Sequence, residues 1–266
     1  YVSSSLAHRQ IGYVGDKMAD LELTFWSDAS FAGCISTQRS TTGIHFAVTG
    51  PRTNFPLSAM SKRQTCISTS STEAEVVAAF TALKSFVLPA LDLWELLLSR
   101  KIVADFREDN QAMIQVALTG INKTMRWLSR SHGLAIRHLY DHLGNEETKD
   151  ETRLVYTRSE WMAADIYTKM FAEKDKWLKA CELVNIIDPV DIKEVILRRS
   201  DFFKQMEADV YRHPNNIKPC SSNSASHRKW LRENEEEGVV CVAWNTRHLS
   251  WWTEAEEEDT PGASSS

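Results

Sequence analysis

Four carboxylates occupy places where a fold could gather them. Asp28 closes an alternating apolar and polar run from Leu21 to Ala29, and Glu75 opens a long apolar-periodic stretch. Asp109 separates a strand-like run from a helical one, and Asp165 stands early in a further helical segment. Side chains at strand ends and helix starts can converge on one edge of a sheet. Four such groups without cations would repel one another, since like charges ~4 Å apart interact unfavourably by several kcal/mol at a surface-like dielectric. Two Mg²⁺ ions, or Mn²⁺ as substitute, remove that cost. Oxygen ligands suit these hard ions, and a pair about 4 Å apart can hold both the attacking water and the leaving oxygen of a phosphodiester. Phosphodiester hydrolysis is the chemistry this set points to.

The elements that must position these groups follow from periodicity. Leu21 to Ala29 predicts a strand, and Thr42 to Thr49 and Phe55 to Ser61, separated by Gly50-Pro51 and Asn54, predict two more in an antiparallel meander. A polar run from Lys62 to Thr72 leads into Glu73 to Ser99. There Val76, Ala79, Phe80, Leu83, Val87, Leu91, Trp94 and Leu98 recur at helical spacing, which predicts a long buried helix with a kink at Pro89. Lys101 to Arg107 reads as a fourth strand, with Asp109-Asn110 at the start of a helix from Gln111 to Leu118. Asn122 to His142 is expected to be helical in its second half, and Arg153 to Thr157 to be a fifth strand. A helix through Trp161, Ile166, Met170, Trp177 and Cys181 carries Asp165 in its early turns. Asp188-Pro189 then reads as the cap and first position of a helix reaching about Tyr211. The sum is an α/β domain with a five-stranded mixed sheet flanked by helices.

Composition sets bounds on this reading. The chain has 266 residues, 42% hydrophobic and 25% charged, ordinary values for a globular protein with a core. The longest apolar stretch, Phe86 to Leu98, is interrupted by Asp92 and Glu95, so no bilayer-spanning segment is expected. Five widely spaced cysteines without a Cys-x-x-Cys pair argue against a disulfide framework and suit a reducing, intracellular compartment. The formal charge of −5 hides an asymmetry: Glu233 to Asp259 carries nine acidic residues and one basic, leaving +3 elsewhere, so a nucleic-acid partner for the main body stays open. From His213 onward the chain is rich in Ser, Asn and Glu. It predicts a mostly disordered tail with a short sticky segment at Val239 to Trp244. An opening Tyr1, with no basic-then-apolar leader, suggests a piece of a longer product.

Six stretches together carry a resemblance. They are Ser27 to Cys34, Arg39 to Gly43, Ser61 to Gln64, Ser71 to Glu75, Glu108 to Gln111, and Ala164-Asp165-Ile166-Tyr167-Thr168-Lys169. In this order they closely resemble the ribonuclease H domain of copia-type LTR retrotransposon Pol polyproteins. The resemblance covers roughly 21–180, and Leu6 to Asp16 looks like the end of the connection from a reverse transcriptase. It implies a ribonuclease H-like fold and metal-dependent cleavage of the RNA strand of an RNA–DNA hybrid, in the cytoplasm, a virus-like particle or the nucleus. Together with the patterns above it divides the chain into four segments: 1–20, the end of the reverse transcriptase connection; 21–182, the ribonuclease H-like domain; 183–212, a helical extension; and 213–266, the acidic tail.

Carried over by position, Asp28 resembles the aspartate bridging two metals, Glu75 and Asp109 its partners on one, and Asp165 the ligand on the other. Ser70-x-x-Glu73 and Thr72-x-x-Glu75 both fit a capping box, and residues two apart on a helix point to nearly opposite sides, so one glutamate should face the site. The family's glutamate, followed by small apolar residues, matches Glu75, leaving Glu73 as cap or solvent residue. Glu108 and Asp109 should likewise face opposite ways on a strand, and Asp109 keeps the family's Asp-Asn pair. Arg39, Lys62, Arg63 and Gln64, in polar loops entering the helix, are expected to contact the hybrid, with Asn110 and a second basic cluster around Arg126 and Arg130.

Many ribonucleases H place a mobile histidine before the last aspartate. This chain has Val155 to Glu160 there and no histidine, which leaves water or Glu160 as the candidate proton carrier. The alternative function is a catalytically silent module that binds nucleic acid or supports an attached reverse transcriptase. A strand-transfer domain of the integrase kind is disfavoured by the Asp-Asn-Gln and Ala-Asp-Ile-Tyr-Thr-Lys motifs.

Overall fold

Alternation in the sequence becomes pleat in the structure, a computed structural model that describes residues 6–99, 101–121, 130–148, 151–210, 212–213 and 240–243. Strand β1 (Arg9–Val14) precedes the meander of β2 (Glu22–Ser30), β3 (Thr41–Gly50) and β4 (Thr53–Arg63). The helical stretch follows as α1 (Ser71–Ala82) and α2 (Leu88–Leu98). Strand β5 (Ala104–Glu108), α3 (Gln111–Thr119), α4 (Arg130–Leu139) and β6 (Thr152–Tyr156) complete the central layer. The chain ends in α5 (Lys174–Leu183), β7 (Ile186–Ile187), α6 (Ile192–Val210) and β8 (Val240–Ala243).

The sheet order is β6-β5-β2-β3-β4-β1-β7, with β8 paired to β1. Strands β2, β3 and β4 are antiparallel neighbours, and β5 and β6 add in parallel on the free side of β2. The five expected strands are therefore β2 to β6, and three more extend the β4 edge. Pro56 sits where the β3–β4 register shifts, the irregularity at which a residue without an N–H is tolerated. The segment expected to be sticky is β8, which runs antiparallel to β1 with Ile11 opposite Ala243 and Val14 opposite Val240. Most of 213–266 lies outside the described residues.

Alternation along β2 sends Leu23 and Phe25 to one face and Trp26 to the other, and each face has its own core. On the first, Ile44, Phe46, Val48 and Phe106 of the sheet meet Val76, Ala79 and Leu83, together with Met113, Val116, Ile136 and Leu139. Phe25 and Phe46 stack with centroids 4.1 Å apart, a geometry worth roughly 1 kcal/mol beyond its buried area. On the second face, Trp26, Ala47 and Val155 pack under the 161–164 turn and the α5 and α6 helices. Arg107, fully buried on this face, pairs with Asp105 and, at 2.6 Å, with Glu207 of α6, tying the helical extension to the sheet.

Three expectations about helices change. The stretch from Glu73 is broken at Leu83–Val87, before Pro89, by a π-turn whose Leu88 N–H donates to Leu83 O. A wider turn there absorbs the crowding and the lost donor that proline imposes. The helix is also not buried throughout: Leu93, Leu96 and Leu97 are 52%, 78% and 63% exposed. Over Ser71–Leu97 it is, by length and composition, apolar enough to cross a membrane, and 39% of its most apolar window is buried against the sheet and helices. Finally, Asp165 lies not on a long α-helix but in a 3-10 turn, Ala163–Tyr167, with α5 starting only at Lys174.

Candidate active site

Strand parity and strand ends assemble the carboxylates. Asp28 is on the Trp26 face of β2, opposite Gly43 of β3. The turn carrying Asp165 packs on that face because Gly43 has no side chain: a Cβ there would lie 2.6 Å from Thr168 Cγ2 and 2.9 Å from Ala164 O. Glu75 approaches from α1 on the other face. Glu108 shares that face with Phe106, and Asp109 stands one residue beyond the end of β5, where the two faces meet.

Two sets of oxygens result. Asp28, Asp109 and Asp165 each offer a carboxylate oxygen within 4.8 Å of the others, and so do Glu75, Glu108 and Asp109. All four expected residues are thus brought together. Asp109, rather than Asp28, is common to both sets, a difference from the carried-over assignment. Glu108 is a member that sequence reasoning set aside: alternation does turn it away from Asp28, but towards Glu75. Its Oε2 accepts from Ser27 Oγ at 2.9 Å and its Oε1 from the Asn110 N–H.

The electrostatics match this crowding. Burial, then Glu108, Asp28 and Asp109, push Glu75 up to about 11. Burial and Asp109 raise Glu108 well above the carboxylate range, against the Ser27 hydrogen bond. Asp165 rises to about 7 through burial and Asp28. Asp28 is raised by burial, with Lys169 and the Thr168 hydroxyl, which donates to it, working the other way. Oε2 of Glu75 is buried without a hydrogen-bond partner. An orphaned oxygen among other carboxylate oxygens is the donor set a hard divalent cation fits.

Neighbouring residues with no earlier role also converge. Lys169 Nζ lies 2.7 Å from Asp165 Oδ1, 3.4 Å from Asp28 Oδ1 and 3.9 Å from Asp109 Oδ2. Burial alone would lower its ammonium, yet Asp28 and Asp165 hold it above the ordinary lysine range. The i, i+4 spacing from Asp165 was a visible signal for this contact. Ser159 Oγ, in the Val155 to Glu160 segment, donates to Asp109 Oδ2 at 2.6 Å, whereas Glu160 is exposed.

Glu73 is the cap, as expected, but not a solvent residue. Ser70 Oγ accepts its N–H, its Oε2 accepts from Thr69, and it is buried against His132. His138 and His142, at i, i+4, pack edge to face, and His138 meets Phe80 of α1 the same way.

The expected nucleic-acid contacts divide. Lys62 and Arg63 are not in a loop: they end β4, opposite Thr42 and Thr41, exposed and level with Ala29 and Ser30 two strands away, one and two residues beyond Asp28. Arg39 is exposed in the β2–β3 connection. Gln64 is instead buried, and its amide nitrogen donates to Thr42 Oγ1 and Ala74 O, bracing α1 against the sheet. Asn110 caps α3 through Met113 N–H. Arg126 lies outside the described residues; Arg130 opens α4, and its side chain also lies outside them.

No family model and no curated protein matches the chain. Among solved structures, a ribonuclease H1 isolated from compost by a metagenomic approach matches at 15% identity, covering 55% of this chain and 92% of its own, with a TM-score of 0.35. The strand order is an antiparallel meander, β2 to β4, with β5 and β6 added in parallel on the free side of its first strand. The fold is α/β, a mixed sheet flanked by helices. In it, the carboxylates lie at the end of the sheet where β2 and β5 run side by side.

Proposed function

We propose that this protein is an endoribonuclease that cleaves the RNA strand of RNA–DNA hybrids by two-metal phosphodiester hydrolysis. The observation that carries the reading is the pair of carboxylate sets joined through Asp109. Asp28, Glu75, Asp109 and Asp165 are the proposed metal ligands, with Glu108 added to the second set. Mg²⁺ or Mn²⁺ held there supplies positive charge for the attacking and leaving oxygens of the scissile phosphate. The protein's part is placement. Ser159 fixes the direction of Asp109, Ser27 and the Asn110 N–H fix Glu108, and Thr168 fixes Asp28. Lys62, Arg63 and Arg39 line the approach from β3 and β4 and are suited to phosphate oxygens of a hybrid laid across the sheet end.

The motif series supports a place in a retrotransposon polyprotein, acting inside the cell beside a reverse transcriptase joined through 1–20, with 21–182 as the catalytic unit. The alternative, a ribonuclease H-like module that binds nucleic acid without cutting, has one observation on its side: the Lys169 ammonium lies among Asp28, Asp109 and Asp165.

One assay separates the two. Purified protein is incubated with end-labelled RNA–DNA hybrid and Mg²⁺, beside Asp28→Asn and beside duplex RNA and duplex DNA. Cleavage of the hybrid's RNA strand alone, lost with Asp28→Asn and with EDTA, is the expected result. Hybrid binding without cleavage in Mg²⁺ or Mn²⁺ overturns the nuclease reading.

A further inference from the structure

The two oxygen sets differ in what already faces them. In the Asp28, Asp109 and Asp165 set, the Lys169 ammonium is within 4 Å of all three carboxylates. The backbone aims it there, since Lys169 N–H donates to Asp165 O at 2.9 Å and the side chain folds back over the same turn. Among the described residues, the only ion pair reaching Glu75, Glu108 or Asp109 is the 3.9 Å contact of Lys169 with Asp109. Glu75 keeps its orphaned Oε2, and Glu108 is bound by neutral donors.

We infer that Lys169 is a resident counter-cation that closes the Asp28, Asp109 and Asp165 set until a divalent ion displaces it, so that the Glu75, Glu108 and Asp109 set loads first. This rests on the metal-binding reading above. An ammonium on a flexible four-carbon stem can leave, and the Lys169 side chain is 41% exposed, which opens a route to water. While it stays, only the fraction of molecules with Lys169 withdrawn can bind, and apparent affinity falls by that fraction. The Glu75, Glu108 and Asp109 set meets that ammonium only through Asp109, at 3.9 Å, so its penalty from Lys169 is smaller. Lys169 therefore acts on metal loading through Asp28 and Asp165, as a positioning residue.

The test is Mn²⁺ binding to the full chain, followed by the electron-spin signal of free Mn²⁺ and by calorimetry. Wild type is expected to show two classes of site separated by about tenfold or more in affinity. Lys169→Met should tighten the weaker class by about tenfold, change the tighter one by clearly less and lower the metal-free Tm; Lys169→Arg should keep the weak class weak. Identical isotherms for wild type and Lys169→Met overturn the inference and leave the metal reading standing. No Mn²⁺ binding by either protein overturns both. Should Lys169→Met not fold, wild type decides: acetylation of Lys169 by an activated ester, read by peptide mass spectrometry against the other lysines, should rise on adding Mg²⁺. A rate indifferent to Mg²⁺ overturns the inference.

Discussion

Nδ1 of His132 on α4 lies 2.5 Å from Oε1 of Glu73 on α1, with both side chains buried. This contact gives Glu73 a structural task and separates it from Glu75, one residue beyond Ala74 on the same helix. Glu73→Gln and His132→Ala should each lower unfolding free energy by about 3 kcal/mol, as breaking a buried pair does, while leaving Mn²⁺ binding close to wild type. Glu75→Gln should do the reverse, keeping the fold and losing the Mn²⁺-induced rise in Tm. Urea unfolding and a Mn²⁺ thermal-shift series, run on the three variants, measure both halves. Loss of Mn²⁺ binding in well-folded Glu73→Gln would contradict this division of labour.

Gly43 is where β3 yields to the turn that carries Asp165. Gly43→Ala places a methyl group against Thr168 Cγ2, Ala164 O and, at 3.1 Å, Tyr167 Cβ. Two of these contacts involve a turn that is held elsewhere, since Ser61 Oγ donates to Tyr167 O at 2.7 Å. The substitution should cost about 2 kcal/mol of stability and at least tenfold in hybrid cleavage, because the turn must lift and carry Asp165 with it. Wild-type turnover by this variant would mean that the turn tolerates displacement.

Glu22, half-buried on β2, is raised to about 7 by burial, then by Asp105 and Glu207, against Arg153 and Arg107. The folded chain holds this proton more tightly than the unfolded chain, whose carboxyl titrates near 4.5. Stability from this group is therefore complete below about 4.5, falls as pH climbs to about 7, and is flat beyond. Glu22→Gln should remove that decline and gain on the order of 1 kcal/mol at pH 8, a figure reduced for the solvent reaching a half-buried group. Equilibrium unfolding from pH 4 to pH 8 checks it; a steeper decline in the variant would reverse the sign.

Lys62 and Arg63 end β4 at the same end of the sheet as Asp28. Each is expected to meet phosphate, so Lys62→Ala and Arg63→Ala should weaken hybrid binding uniformly across sequences and each flatten the log Kd against log salt slope by about one. Gln64→Ala should instead lower stability by about 1 kcal/mol, since its amide braces Thr42 and Ala74 internally. Fluorescence anisotropy at several salt concentrations distinguishes the two behaviours.

Much of this molecule is written in local pattern. Alternation marked the meander, helical spacing marked α1 and α2, and Asp188-Pro189 marked the turn before α6, because pleat, helical period and capping are properties of a few adjacent residues. Asp28, Glu75, Asp109 and Asp165 were legible for the same reason: each stands at the end or beginning of such a pattern. What local pattern could not place were the partners. Glu108 joins Glu75 only because β5 lies beside β2 with α1 laid over it, and parity relative to a helix 33 residues away is a tertiary fact. Gln64 turned inward, and Lys62 and Arg63 stayed in the sheet, because the β3–β4 ladder runs further than its apolar residues do. The sequence alone determined which carboxylates are available and roughly where in each element they stand. Folding decided that they form two sets joined at Asp109, and that Lys169 enters one of them, since distances between elements depend on packing across the sheet and not on spacing along the chain.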